Sequence, residues 1–497
     1  MSITTRTPVD EANDLPSRRS VLGKRRTRPA ASDTTSAVVV DEFAMPEQPG
    51  WIPRRNRLLD RFGYYVPASA GAPTTTRQAE ILNTAIIAAP MQFQGLLSGV
   101  ETLSKTPATN DQIQAYRDGK VESPNVCTLG DVGVYKSTLM KCDYVLRPLT
   151  LAGRRMIVVD IKPAGPSAGC GEYTATAEEI GVQPIRCEIG DPTSSTLNLC
   201  DPKLRLTREG TTGAGAIGIL LQAAAILNEN AELDRFEKKA VRAALKRAEA
   251  HVAELGRDVT VMDVLPYLGN VDDIEDFRAL PTHAKDAMFM AGYGVRVLLE
   301  RLPEELPGLF DGDTSTSVKL GEKATFFDFS QLPEDGPARS IGMMLANAWT
   351  IGSIRASGGK FTTNFCVDEG WFLVGGPMGK VIQANSKVSR ANGMSNIVNL
   401  HHPSDVPADD PAIAFIKEAG TLHLFRQSKR DDAEMVANLA GLKPGAVEQL
   451  MTLPAGQHFK KVGTAAETRV RHVRSSLEAR VTDTSQGLVG DKTTKGA

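Results

Sequence analysis

The nine residues 130–138, Gly-Asp-Val-Gly-Val-Tyr-Lys-Ser-Thr, have the make-up of a loop that could wrap phosphate. In the scheme GxxxxGK[ST], backbone N–H groups surround the phosphates, the lysine reaches the β and γ oxygens, and the hydroxyl binds magnesium. Gly130, Lys136 and Ser137 occupy their places, with Asp131, Val132, Gly133 and Val134 inside the loop and Thr138 just after it. Tyr135 stands where the scheme has glycine. A side chain resists backbone angles and close approaches that glycine tolerates, so Tyr135 could reshape the loop or weaken nucleotide binding.

A second segment, NFCVDEGWFLV at 364–374, ends an apolar run with Asp368 and Glu369. There Asp368 would hold magnesium through its water shell, and Glu369 would orient or deprotonate an attacking water. Either segment alone could be a glycine turn or a solvated acidic pair. Both together, in this chain order, point to phosphoryl transfer. That chemistry also needs positive charge at the γ-phosphate, often an arginine from a neighbouring subunit. Arg390, in KVSRANGM, and Arg426, followed by Gln427, are the candidates. His401 and His402 directly follow the apolar run 395–400, where His401 could sense the γ-phosphate. Neighbours on an extended chain point to opposite sides, so the pair makes a poor metal pattern.

These residues need elements to hold them. NVCTLG at 125–130 reads as a strand, and KSTLMKCDYVL after the loop places Leu139, Met140, Tyr144 and Val145 at helical spacing. Strand, loop and helix in that order put phosphates at a helix N-terminus. MIVVDIK (156–162), PIRCEIG (184–190) and the runs at 323–330, 364–368, 395–400 and 421–425 read as strands of a largely parallel, buried sheet, so the class is α/β. Between them Leu233, Phe236, Val241, Leu245, Ala248, Val252 and Leu255 keep a helical period until Gly256 stops it. Thr260 with Asp263 then marks the next helix start. The expected organisation is a disordered basic tail (1–50), an N-terminal adaptor region (51–123), a first core part (124–213), an all-helical insertion (214–308), a second core part (309–483) and a disordered tail (484–497).

Composition narrows the class. At 497 residues, 41% hydrophobic and 23% charged, the chain can bury two or three domains' worth of core. A formal net charge of -2 argues against a uniformly basic nucleic-acid binder, though not against a local basic stripe. Six cysteines without a CxxC pair read as reduced cytosolic thiols rather than a zinc site. No signal peptide is legible, and the longest apolar run, 213–227, carries Gln222 and is too short to span a bilayer.

Over roughly 78–483, the sequence resembles the conjugative-transfer, or type IV secretion, ATPases of the HerA/FtsK superfamily, especially those of actinobacterial mobile elements. The resemblance rests on an ordered series: SPNVCTLGDVGVYKST, RRMIVVDIK with GEY, LNLCDP, LFDGDTS with FFDFS, CVDEGWFLV, SRANGMSNIVNLHHPSDV, and LFRQS followed by GLKPGAVEQLMTLPAGQ. It implies a RecA-like P-loop NTPase core with a mainly parallel sheet. It also implies ATP and magnesium as cofactors, Lys136 and Ser137 as phosphate and magnesium residues, Asp368 as the Walker B aspartate, Glu369 as the catalytic glutamate, and Arg390 as the arginine before a sensor strand. Gly171, Glu172 and Tyr173 match a GEY signature that usually follows the DxK strand closely, whereas PAGPSAGC intervenes here and leaves the role of Glu172 open. Where the superfamily commonly has Thr-Gln after the sensor strand, this chain has His401 and His402. Such proteins are ring-forming motors, typically hexamers, at the inner face of a membrane channel that moves DNA or protein. The resemblance therefore implies a cytoplasmic homo-oligomer, peripheral to the membrane, with channel components and DNA as partners. Two alternatives stay open: a nucleotide-binding structural subunit impaired by Tyr135, and a duplex DNA translocase.

Overall fold

The computed structural model describes residues 93–165, 168–206, 215–356, 358, 361–370, 393–401 and 411–482. The two expected tails, most of the expected adaptor, Arg390 and His402 lie outside the described residues. Eleven strands form one sheet: β1 (Leu96–Glu101), β2 (Pro107–Asn110), β3 (Val126–Leu129), β4 (Arg154–Asp160), β5 (Ile185–Arg186), β6 (Ala324–Asp328), β7 (Thr362–Val367), β8 (Met394–Leu400), β9 (Thr421–Leu424), β10 (Gln457–Val462) and β11 (Thr468–His472). Their spatial order is β2-β1-β11-β10-β9-β3-β8-β7-β4-β6-β5. From β9 to β5 every pairing is parallel, and the remaining strands extend that sheet with antiparallel ladders at one edge.

The parallel strands are near-continuous apolar runs because both faces are covered. Every residue of β3, β4, β6, β8 and β9 is buried. Burying the polar residues of these runs requires partners. Gln112, on the short helix Gln112–Arg117, donates to Asn364 Oδ1 (2.9 Å) and Ser395 Oγ (3.2 Å), while Asn364 Nδ2 donates to the Tyr144 carbonyl (2.9 Å). This seam fixes β7 and β8 beside the segment that follows β3.

Between β5 and β6 the described elements are helical. The helix Arg235–Ala253 opens with a reciprocal cap between Asp234 and Glu237 and ends shortly before Gly256, whose φ of 68° is free only for glycine. Its apolar face, with Val241, Leu245, Ala248 and Val252, joins Leu299 of the helix Thr282–Glu305 in the hydrophobic core that also holds Leu129 and Ile157 of the sheet. Asp263 accepts from both Thr260 N (2.9 Å) and Thr260 Oγ1 (3.0 Å), the start signal read in the sequence.

Two features depart from the sequence pattern. After four α-helical residues, Lys136–Leu139, the chain winds as a π-helix over Met140–Leu146. An α-helical period would turn some of these residues to solvent, whereas Met140 through Val145 are all buried, and Lys141, Asp143 and Tyr144 each meet a polar partner. The hairpin β10–β11 does not stand out in the sequence because its buried positions include His458, Lys460 and His472. Lys460 is accommodated by donating to Thr109 O (2.6 Å) and Asn110 Oδ1 (2.8 Å) on β2.

Candidate active site

β3 runs into the loop 130–135 at the carboxyl edge of the parallel sheet, where open α/β sheets bind ligands. Gly130 is required by close packing: a Cβ there would lie 2.6 Å from Phe425 Cβ. Tyr135 adopts the left-handed conformation, φ 77° and ψ 27°, that glycine takes without cost. The tyrosine thus holds backbone angles that favour glycine. Its ring joins Val134, Leu139 and Phe425, with the Arg474 guanidinium 5.6 Å from its centroid. Val132 is exposed, Ser137 half-buried and Thr138 buried.

Lys136 is buried, and its ammonium donates to the carbonyls of Gly130 (2.7 Å) and Asp131 (2.6 Å) and to His401 Nδ1 (3.0 Å). Burial pulls its pKa down to about 8, against the opposing pull of Asp368, Glu369 and Asp131. Asp131 ties the loop to the segment after β9: its carboxylate accepts from Ser428 N (2.9 Å) and the Ser428 hydroxyl, and Arg426 Nε lies 3.8 Å away. Arg426 thus sits against the outer side of the loop and keeps its side chain 41% exposed.

The neighbouring strand ends bring in the acidic pair. β8 lies between β3 and β7, so His401 after β8 stands between Lys136 and the residues after β7. Asp368 is buried, with Oδ1 accepting from Asn399 Nδ2 (2.8 Å) and Oδ2 from the Tyr173 hydroxyl (3.0 Å). Glu369 has a left-handed φ of 60°, and its Oε2 is 2.5 Å from His401 Nε2. Lysine ammonium only donates, so His401 Nδ1 accepts and Nε2 carries the proton given to Glu369. Burial alone would raise the Glu369 pKa, but the His401 hydrogen bond and the charges of Lys162 and Lys136 bring it below the ordinary carboxylate value.

The GEY residues 171–173 lie beside the carboxyl end of β4. A β-bridge between Pro163 and Gly171 pinches the PAGPSAGC excursion, and Glu172 N donates to Lys162 O (2.9 Å). Gly171 packs where a Cβ would lie 2.2 Å from Asp160 Oδ2. Tyr173 N donates to that carboxylate (2.7 Å), and Gly171 N to Asp328 Oδ2 (3.1 Å), so the strand-end aspartates of β4 and β6 hold the turn. Buried Glu172 receives Lys141 Nζ on Oε1 (3.0 Å) and Lys162 Nζ on Oε2 (3.2 Å). Burial opposes its ionisation, yet the two lysines lower its pKa.

Sequence reasoning missed Asn399 and Lys162 as members of this cluster. Their signal was positional, since both lie at carboxyl ends of strands that carry other site residues. The residues present suit a nucleotide with magnesium: the Ser137 hydroxyl and the Asp368 carboxylate are hard oxygen donors, and magnesium takes one or two such groups plus phosphate oxygens. Among the described residues no group of three or more His, Cys, Asp or Glu side chains could hold a metal unaided.

Strand order, phosphate loop and acidic strand end together define the RecA-like P-loop NTPase fold. No protein-family model matches the sequence, and no curated protein does. Among solved structures the chain is similar to VirB4 of Thermoanaerobacter pseudethanolicus, with TM-score 0.62, 18% identity, and 79% of this chain and 100% of that chain covered. It also overlaps the bacterial conjugative coupling protein TrwBdeltaN70 in an unbound form (TM-score 0.48, 12% identity, 79% of this chain and 92% of that one). A further match is plasmid coupling protein TrwB in complex with ADP and Mg2+ (TM-score 0.45, 12% identity, 77% and 91%). The VirB4 likeness is one of fold. Among the described residues no helix is long and apolar enough to cross a membrane.

Proposed function

We propose that this protein is a magnesium-dependent ATP hydrolase that energises conjugative DNA transfer or type IV-like secretion. In this reading it works as a homo-oligomeric, hexameric ring at the cytoplasmic side of a membrane channel, with channel components and DNA as partners. The observation that carries the reading is a convergence: Lys136 from the loop after β3 lies 3.0 Å from His401, which lies 2.5 Å from Glu369 after β7. The shared fold with VirB4 supports the motor assignment.

In the reaction, water adds to the γ-phosphorus while the bond to the bridging oxygen breaks, and ADP departs with that electron pair. Glu369, kept ionised by its neighbours, takes the proton of the attacking water. Lys136 exchanges the loop carbonyls for β and γ oxygens. Ser137 and Asp368 would hold magnesium, which would supply positive charge against the phosphates. Arg426 and Arg390 are the arginines proposed to stabilise the transferred phosphoryl group, Arg390 on sequence grounds alone.

One observation favours a second reading, a nucleotide-binding subunit with impaired turnover: the left-handed Tyr135 costs backbone energy that glycine would not. Phosphate release by the purified chain, with and without DNA, beside Glu369→Gln and Lys136→Met, separates the two. The motor reading expects Glu369→Gln to lose about 100-fold or more in turnover while still binding ATP. Lys136→Met should weaken ATP binding by roughly 10- to 100-fold, the worth of a charge-assisted contact. ATP binding without any hydrolysis under assembling conditions would leave the second reading in place.

A further inference from the structure

The two carboxylate oxygens of Glu369 are approached from different elements. His401 Nε2 holds Oε2 at 2.5 Å, and Lys162 Nζ, from the segment after β4, lies 3.7 Å from Oε1. Lys162 reaches this place because Glu172 draws it there, with Nζ 3.2 Å from Glu172 Oε2. Glu172 is itself anchored by buried Lys141, which donates both to its Oε1 and to its carbonyl, each at 3.0 Å. One lysine already neutralises the buried Glu172 charge. The second therefore lies between two carboxylates, Glu172 and Glu369, with its side chain 46% exposed on the open side of the site. Glu369 also carries a left-handed backbone, φ 60°, a strained conformation that persists only where surrounding contacts hold it.

We infer that Lys162, tethered by Glu172 of the GEY turn, is a positioning residue that braces Oε1 of Glu369 while His401 braces Oε2. The inference rests on the ATP-hydrolase reading and assigns a role to the turn that the PAGPSAGC excursion separates from its strand. Among the described residues Lys162 is ion-paired with Glu172 and Glu369, so the role assigned to it is exerted through Glu369 on the chemical step.

Steady-state hydrolysis by the full chain tests this with Lys162→Gln, Lys162→Arg and Glu172→Gln. Lys162→Gln should lower kcat by about 10-fold with KM within about twofold. Lys162→Arg, which keeps the cation beside Oε1, should restore most of kcat. Glu172→Gln should lower kcat the same way, but it also strands buried Lys141, so the half-exposed Lys162 variants decide the matter if it fails to fold. Unchanged kcat in Lys162→Gln would overturn the inference alone. A rise in KM matching the fall in kcat would also overturn it, by making Lys162 a phosphate ligand. A wild-type chain that binds ATP yet never hydrolyses it would overturn both this inference and the reading beneath it.

Discussion

Replacing Tyr135 by glycine and by alanine separates two contributions that the tyrosine combines. Its ring is half-buried against Val134, Leu139 and Phe425, and its backbone sits at φ 77°. Removing roughly 100 Å² of apolar contact costs about 2.5 kcal/mol at 25 cal/mol per Å². The exposed cation–π contact with Arg474 adds about 0.5 kcal/mol. Alanine loses all of this and keeps the left-handed backbone, whereas glycine loses the ring but is relieved of about 1 kcal/mol of strain. Stability should therefore fall in the order tyrosine, glycine, alanine, with glycine about 1 kcal/mol above alanine in urea unfolding. Because glycine adopts the left-handed backbone of Tyr135 without strain, ATP affinity in Tyr135→Gly should stay within about fivefold of the native value. Alanine equal to or better than glycine would refute the strain argument. A gain of more than about tenfold in affinity for Tyr135→Gly would refute the affinity argument.

Two further outcomes follow from buried groups. Gly171→Ala drives a Cβ into the Asp160 carboxylate, 2.2 Å from Oδ2, so it should destabilise the fold by about 1–3 kcal/mol in thermal or urea melts and slow hydrolysis by shifting Glu172. His472 is buried, and that burial, with Arg147 and Arg474 nearby, lowers its pKa to about 3. The unfolded state takes up its proton at ordinary histidine pH and the folded state does not, so stability is full above about pH 6.5 and falls as pH drops from there toward 3. His472→Gln should flatten that slope by up to about 1.4 kcal/mol per pH unit; an unchanged slope would show that His472 is protonated in the fold.

Much of the candidate site was legible because its residues are chemical types at strand ends. The apolar run before Gly130 and the run before Asp368 both became central parallel strands, β3 and β7, with β8 between them, an order that no local pattern encodes. His401 could be placed after its strand from sequence. Its bridging of Lys136 and Glu369 could not, because that contact spans 265 and 32 residues of chain. The π-helical winding of Met140–Leu146 was hidden because apolar spacing there also satisfies an α-helical period. β10 and β11 were hidden for a different reason: burying His458 and Lys460 on β10 and His472 on β11 breaks the apolar–polar alternation by which half-buried strands are recognised. The linear distance from Lys162 to Glu172 was misleading too, since the Pro163–Gly171 bridge brings the two ends of that segment together.

The antiparallel extension also has a mechanical meaning. A pull entering the described structure at β1 meets β11, then β10, then β9, then β3, and Lys460 ties part of that edge by reaching from β10 to Thr109 and Asn110 on β2. A shorter route runs beside these rungs: Arg147, in the segment that follows the loop and its helix, donates to the carbonyls of Leu97 and Ser98 on β1, and the Ser98 hydroxyl donates to Asp143. Load applied at this edge would divide between the backbone ladders and these side-chain ties before reaching the loop after β3.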